Sequence, residues 1–204
     1  MKTLWTELGR ALAATIFFAV ILCGVYPLIV FALAQMLFPR QANGSLFTDS
    51  SGATRGSALL AQPFSGPQYF HPRPSANRFD AADSGGSNLG PTSARLAAEI
   101  SQRIADYRRE NNLPANTAVP ADAVTASASG LDPDISPANA EIQVPRVAKA
   151  RGLPEELVRA LVRQNTRGRE LGLFGQPRVN VVTLNFALDR LTNRPSTVST
   201  SVQR

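Results

Sequence analysis

Residues 11–38 read ALAATIFFAVILCGVYPLIVFALAQMLF, 28 residues without a charge set between Arg10 and Arg40. As a helix rising about 1.5 Å per residue the run would be roughly 42 Å long, against a hydrocarbon core of roughly 30 Å. One membrane crossing is the natural reading. The chain then divides into a short head over 1–10, a transmembrane helix over 11–38 and a soluble domain over 39–204, long enough to build a core of its own.

A secretory signal is the alternative, because Ala32-Leu33-Ala34 has the small-x-small shape of a cleavage site. A signal h-region spans about 7–15 residues, whereas Leu12 to Phe31 is already longer and Met36, Leu37 and Phe38 carry the apolar run past the site. The uncleaved span is therefore preferred. Pro27, after Gly24, removes a backbone donor in mid-span and pushes the helix toward a kink, which is either a packing device or inconsequential. Lys2 and Arg10 flank the entrance and only Arg40 the exit, so the positive-inside rule, by one charge, puts the N-terminus in the cytoplasm and the domain outside.

The formal net charge of +6 is uneven: residues 141–204 carry 11 basic and 5 acidic side chains, residues 40–140 carry 8 and 9. A basic third could meet nucleic acid, anionic lipid or an acidic partner. It lacks interleaved aromatic residues, so nucleic acid is set aside and a solvated surface is preferred. The single cysteine, Cys23, lies in the apolar run, so the soluble domain has neither a disulfide nor thiolate metal ligands.

Along that domain, residues 43–48 and 53–61 around Asp49-Ser50-Ser51-Gly52 predict a hairpin. Residues 62–92 are rich in Pro, Gly, Ser and Asn and lack periodicity, yet contain Phe64, Tyr69, Phe70, His71, Arg73, Arg78 and Phe79. Rings need burial, so this stretch reads as an ordered, functional loop. Leu96, Ile100, Ile104 and Tyr107 predict a helix from Ser93 to Asn111-Asn112-Leu113-Pro114. Residues 122–127 look like a short strand. Ser136-Pro137 opens a helix that Pro145 kinks or splits and Gly152 closes. Pro154-Glu155-Glu156 opens another, with Leu157, Val158, Leu161 and Val162 inward. Residues 179–191 fit both a strand and a helix capped by Asn180, the helix being favoured. The class is α+β.

The chemistry searched for is mostly missing. Lys2 and Lys149 are the only lysines and neither stands in a P-loop, and no aspartate is followed by lysine as in the phosphorylation motif of P-type pumps. Neither ATPase mechanism can be carried by this chain. His71 is the only histidine, so two-histidine metal sites are excluded, and a secreted enzyme released near Ala34 would have to build its triad on it. Ser84-Gly85-Gly86-Ser87-Asn88 could cradle an anion on converging amides, although a tight turn presenting Asn88 is the plainer reading. Ser129-Gly130-Leu131-Asp132-Pro133 reads as a turn. No catalytic residue and no metal ligand is assigned.

Taken in order, Tyr69-Phe70-His71-Pro72-Arg73-Pro74-Ser75-Ala76, then residues 84–92 (SGGSNLGPT), residues 126–137 (ASASGLDPDISP), and Val179-Asn180-Val181 with Leu184-Asn185 and Leu188-Asp189, resemble the C chain of the bacterial potassium-transporting Kdp ATPase. The resemblance extends from the span to about Asp189 and includes Gln62-Pro63-Phe64, residues 143–148 and Ala150-Arg151-Gly152. Leu59-Leu60-Ala61-Gln62 and Phe174 are mild departures from the family's usual run.

The resemblance implies a non-catalytic accessory subunit in the bacterial inner membrane. Its partners would be a channel-like potassium subunit and a phosphorylated pump subunit, with ATP and potassium ion handled by the complex and membrane lipid around the span. It further implies a catalytic chaperone that raises the pump's affinity for ATP, with Ser84, Gly85, Gly86, Ser87 and Asn88 as a nucleotide-binding candidate. With the N-terminus inside, those five residues lie on the side opposite ATP, so contact with neighbouring subunits through Tyr69, Phe70, Arg73, Asn88, Asp132 and Pro27 is the favoured expectation.

Overall fold

The structure, a computed structural model, describes residues 2–48 and 52–192 and divides into two units, Met1–Leu46 and Phe47–Arg204. In the first, helix α1 (Lys2–Val20) runs through a five-residue π turn (Ile21–Val25) into α2 (Tyr26–Leu37), and the short α3 (Pro39–Ala42) follows. Thr3–Leu37 is thus one helical stretch of 35 residues, long and apolar enough to cross a membrane. Its apolar side chains are exposed along its length. Residues 2–10 are helical too, continuous with the apolar run.

Just before Pro27, where a kink is expected, the helix widens into the π turn without breaking. The Tyr26 N–H bonds to the carbonyl of Ile21, five residues back. Widening the turn makes room for the Pro27 ring, which has no N–H to donate and would otherwise press on the preceding turn.

In the second unit β1 (Leu46–Thr48) pairs with β2 (Thr54–Ser57), which is the expected hairpin with a shorter second strand. Most of its turn, residues 49–51, lies outside the described residues. Phe47 of β1 stacks on Phe186 with ring centroids 4.5 Å apart. After a long irregular stretch come α4 (Ala94–Glu110), α5 (Ala121–Val124), β3 (Asp134–Ile135), α6 (Pro137–Arg151), α7 (Glu155–Gln164), β4 (Thr166–Arg167), β5 (Arg178–Asn180) and α8 (Val181–Thr192). The last three strands form an antiparallel sheet in the order β3-β5-β4, with Asp134 opposite Asn180 and Thr166 opposite Val179. Helices with two small sheets make the class α+β.

The core lies where α6, α7 and α8 pack around β5, and comprises Val144, Val147, Val158, Val162, Val179, Leu184 and Leu188 with Phe70 and Ile135. The end signals read from sequence act as expected. Ser93 Oγ accepts from the Leu96 N–H and Ser136 Oγ from the Asn139 N–H. Gly152 closes α6 at φ +63°, and the Leu153 N–H reaches back to the Ala148 carbonyl, which turns the chain into α7.

Three local expectations are corrected, and the helix favoured for residues 179–191 with Asn180 as its cap is found. Residues 121–124 form a helical turn, not a strand, because the Asp122 carboxylate is drawn onto the start of α6, where it accepts from the Ser136 N–H and Oγ and from Asn139 Nδ2. Pro145 does not split α6, which is one helix from Pro137 to Arg151: it is on the exposed side, where water can serve the carbonyl that its missing N–H leaves free. Leu157 is 41% exposed while Val158, Leu161 and Val162 are buried. Residues 178–192 are a strand followed at once by a helix, with Asn180 ending β5 and capping α8 by accepting from the Thr183 N–H at 2.9 Å.

Candidate functional site

The aromatic loop over residues 62–92 has no regular elements, so its backbone polar groups need partners from elsewhere. Two helices supply them. On α6, Asn139, Gln143 and Arg146 recur at helical spacing on a buried polar stripe beside the apolar Ala140, Val144 and Val147. On α8, the buried Asn185 bonds the loop directly and the half-buried Asp189, one turn on, holds Arg151, which in turn bonds the loop.

The Phe70 ring is fully buried in the core, and its main chain is held by a reciprocal pair: its N–H donates to Asn185 Oδ1 and its carbonyl accepts from Asn185 Nδ2, both at 2.9 Å. One residue on, the His71 N–H donates to Gln143 Oε1 at 2.8 Å. Arg146, 8% exposed, donates through Nη1 to the carbonyls of Pro67 and Tyr69, through Nε to Asn111 Oδ1 and through Nη2 to Gln143 Oε1. Burial pulls the pKa of its guanidinium below the ordinary value, and it remains the cation on which four acceptors converge. Arg151 donates to the Gln68 carbonyl, pairs with Asp189 at 2.7 Å and lies 5.0 Å from the centre of the Tyr69 ring.

His71 bridges the loop to α4. Its Nε2 lies 2.9 Å from the Gly66 carbonyl, which can only accept, so Nε2 carries hydrogen; its Nδ1 lies 2.8 Å from Glu110 Oε1. Both nitrogens are engaged, and the triad weighed on His71 is not formed. The hydrogen bond from His71 is the largest influence on Glu110 and holds its pKa below the usual 4.5, against the opposing effect of burial. A carboxylate whose pKa is depressed on folding contributes stability above its unfolded value and loses it as pH falls through the folded value. The domain is therefore expected to lose stability on acidification below about pH 4.5, and Glu110→Gln to flatten that part of the profile, as read from denaturation midpoints across acidic pH. Asp134 works in the opposite sense, since burial and then Asp132 raise its pKa.

A cleft of about 410 Å³ opens between the loop and α4, lined by His71, Arg73, Phe79, Arg103, Tyr107 and Glu110 among others. Most of its polar side chains are engaged by protein groups, Arg73 Nη1 to Asp132 at 3.0 Å, Arg103 to Glu99 and the Val124 carbonyl, and Tyr107 to Asn139 Oδ1, whereas Arg73 Nε is buried without a hydrogen-bond partner. Burial, then Asp122, pushes the Tyr107 pKa well above the usual phenolic range, which keeps it a neutral donor.

Sequence-stretch 84–88 packs against residues 127–130. The Gly85 N–H and Ser84 Oγ both donate to the Ser129 carbonyl. A Cβ on Gly86 would stand 2.9 Å from the Ala128 carbonyl oxygen, and one on Gly130, at φ +71°, 2.1 Å from Asn77 Oδ1. These glycines let two backbones touch, and one amide needed for an anion cradle is already used. Asn88 is exposed at φ +53°.

Of the contact residues expected from sequence, Tyr69, Arg73 and Asp132 are half-buried on the loop and its neighbour, and Asn88 and Pro27 are exposed. Phe70 is corrected: it belongs to the core, because no part of its side chain reaches the surface. Gln143, Arg146, Asn185 and Arg151 escaped sequence reasoning. The signal that could have found them is a polar residue recurring every third or fourth position on the apolar face of a helix. Among the described residues no cluster of three or more His, Cys, Asp or Glu side chains is placed to hold a metal.

Comparison with known proteins gives this arrangement its relatives. Residues 8–190 match the family model described as KdpC: K+-transporting ATPase, c chain. The potassium-transporting ATPase KdpC subunit of Mycobacterium tuberculosis is 51% identical over 187 residues, covering 91% of this chain and 98% of the relative. The subunits of the same name are 48% identical in Geobacter metallireducens, with the same coverage, and 53% identical in Bradyrhizobium diazoefficiens over 81% of this chain and 87% of the relative. From the apolar helix to the Asn185 and Asp189 of α8 that hold the loop, the chain belongs to the KdpC family, the c chain of K+-transporting ATPases.

Proposed function

We propose that this chain is the accessory subunit of an ATP-driven potassium uptake complex. It is anchored in the cell membrane by residues 11–38, with its N-terminus in the cytoplasm and the α+β domain of residues 39–204 outside. The observation that carries this reading is the family match over nearly the whole chain. Its partners are a channel-like potassium subunit and a phosphorylated pump subunit, with ATP and potassium ion handled by the complex.

The favoured mechanism is bracing by contact. A loop held by α6 and α8 offers a preformed surface, and a surface already ordered loses little entropy on docking. Tyr69, Arg73, Asn88 and Asp132 form the proposed contact surface, with Pro27 docking against neighbouring helices in the membrane. A higher ATP affinity of the pump subunit would follow from this contact at a distance. Direct nucleotide contact through Ser84, Gly85, Gly86, Ser87 and Asn88 is the rival mechanism.

One set of cells tests both. In a Cys23→Ala background, Ser87→Cys should react with a membrane-impermeant maleimide applied to intact spheroplasts; protection there with reaction after lysis would place the domain inside and revive nucleotide contact. A tagged chain should co-purify with the other ATPase chains. Arg73→Ala should lower the yield of complex by loosening the loop that its pair with Asp132 holds, at most roughly fivefold for a partly exposed pair of about 1 kcal/mol. Unchanged yield and potassium uptake would remove Arg73 from the contact.

A further inference from the structure

The hairpin between β4 and β5 ends in an apolar tip. Leu171 is 93% exposed, Leu173 73% and Phe174 61%, and a backbone bridge between Glu170 and Phe174 holds them on one tight turn. Leu171 also has φ +53°, a left-handed conformation that glycine or asparagine takes at far less steric cost. Leucine at this position gains neither burial nor backbone ease within the chain, so its value lies outside it.

The surroundings of the tip are cationic. Arg163, Arg167 and Arg169 are exposed on and before the hairpin, and among the described residues none of the three stands in an ion pair or side-chain hydrogen bond. Arg178 differs, being paired with Asp134 and Glu170. Leucines and a phenylalanine on a tight hydrogen-bonded turn, with exposed arginines in the flanking chain, match an interface of acyl chains under anionic headgroups, which needs no complementary pocket.

We infer that Leu171, Leu173 and Phe174 insert into the surface of an anionic membrane while Arg163, Arg167 and Arg169 contact its headgroups. The domain would then touch lipid at a second place besides its span. This goes beyond the accessory role and uses the anchored chain as the proposed function describes it.

The test reconstitutes the full chain into vesicles of phosphatidylcholine alone or mixed with phosphatidylglycerol, each containing a spin-labelled lipid that quenches fluorescence. An environment-sensitive dye is placed on Leu173→Cys in a Cys23→Ala background. Quenching should be strong in the mixed vesicles and weak in phosphatidylcholine or high salt. It should fall roughly fivefold in apparent partitioning for each of Arg163→Gln, Arg167→Gln and Arg169→Gln, and fall again with Leu171→Asn, which suits the local backbone. A dye at exposed Ala105 on α4 should stay unquenched. A dye on native Cys23 reports the span separately, so its failure to quench would overturn the anchor and not the tip. If Cys23 is quenched but the tip is not, or the tip is shielded only when the other ATPase chains are present, lipid insertion is overturned.

Discussion

Arg146→Ala should destabilise the domain by about 3–5 kcal/mol, a large share of the total stability of a single domain. The guanidinium is almost fully buried and is the donor for the carbonyls of Pro67 and Tyr69 and for the side chains of Asn111 and Gln143. Its removal leaves the carbonyls of Pro67 and Tyr69 and the Asn111 Oδ1 without this donor, while Gln143 Oε1 keeps the His71 N–H, and each buried group left unserved costs about 1–3 kcal/mol before relaxation. Glu110, 3.8 Å away and partly exposed, gives only a minor ionic component. The change should therefore act through hydrogen bonding, and Arg146→Lys, with one compact head group in place of a fork, should recover only part of the loss. Chemical denaturation of the detergent-solubilised chain reads the magnitude. A loss below about 1 kcal/mol would mean that the loop finds other donors.

Phe70→Ala should cost about 3–5 kcal/mol by leaving a cavity among the side chains of α6, α8 and β5. Phe70 is the point where the irregular loop enters the core, and Asn185 grips the same residue by its main chain. Loss of the ring should therefore loosen the neighbouring chain as well as lower global stability. Arg78, followed by Phe79, is the tryptic site in the same loop, so limited trypsin digestion should cut the variant there well before wild type. Phe70→Leu, which keeps most of the volume, should show much less of both effects. Global destabilisation without faster cleavage at Arg78 would separate the core role from the anchoring role.

What was legible in the sequence was local. Ser93, Ser136-Pro137 and Gly152 mark helix ends through hydrogen bonds spanning a few residues, and the apolar run needs only its own length. Residues 178–192 were ambiguous because the same alternation serves a three-residue strand and the helix that follows without a loop. The α5 turn was misread because its Asp122 answers to Ser136 and Asn139, a tertiary demand that outweighs local propensity. The loop itself was identified from its rings, but not what holds it: Asn185 lies 115 residues from Phe70 and Arg146 lies 79 from Pro67. No periodicity connects such pairs.

The π turn of the apolar helix has a consequence for azimuth. Tyr26 donates to Ile21, and Pro27 has no hydrogen to donate, so a carbonyl of the preceding turn lacks its usual amide. In hydrocarbon an unserved carbonyl costs several kcal/mol, and an outside donor relieves it from one direction only. The helix is thus a keyed shaft: a neighbouring segment with a hydroxyl or amide at that depth would fix its rotation as well as its height.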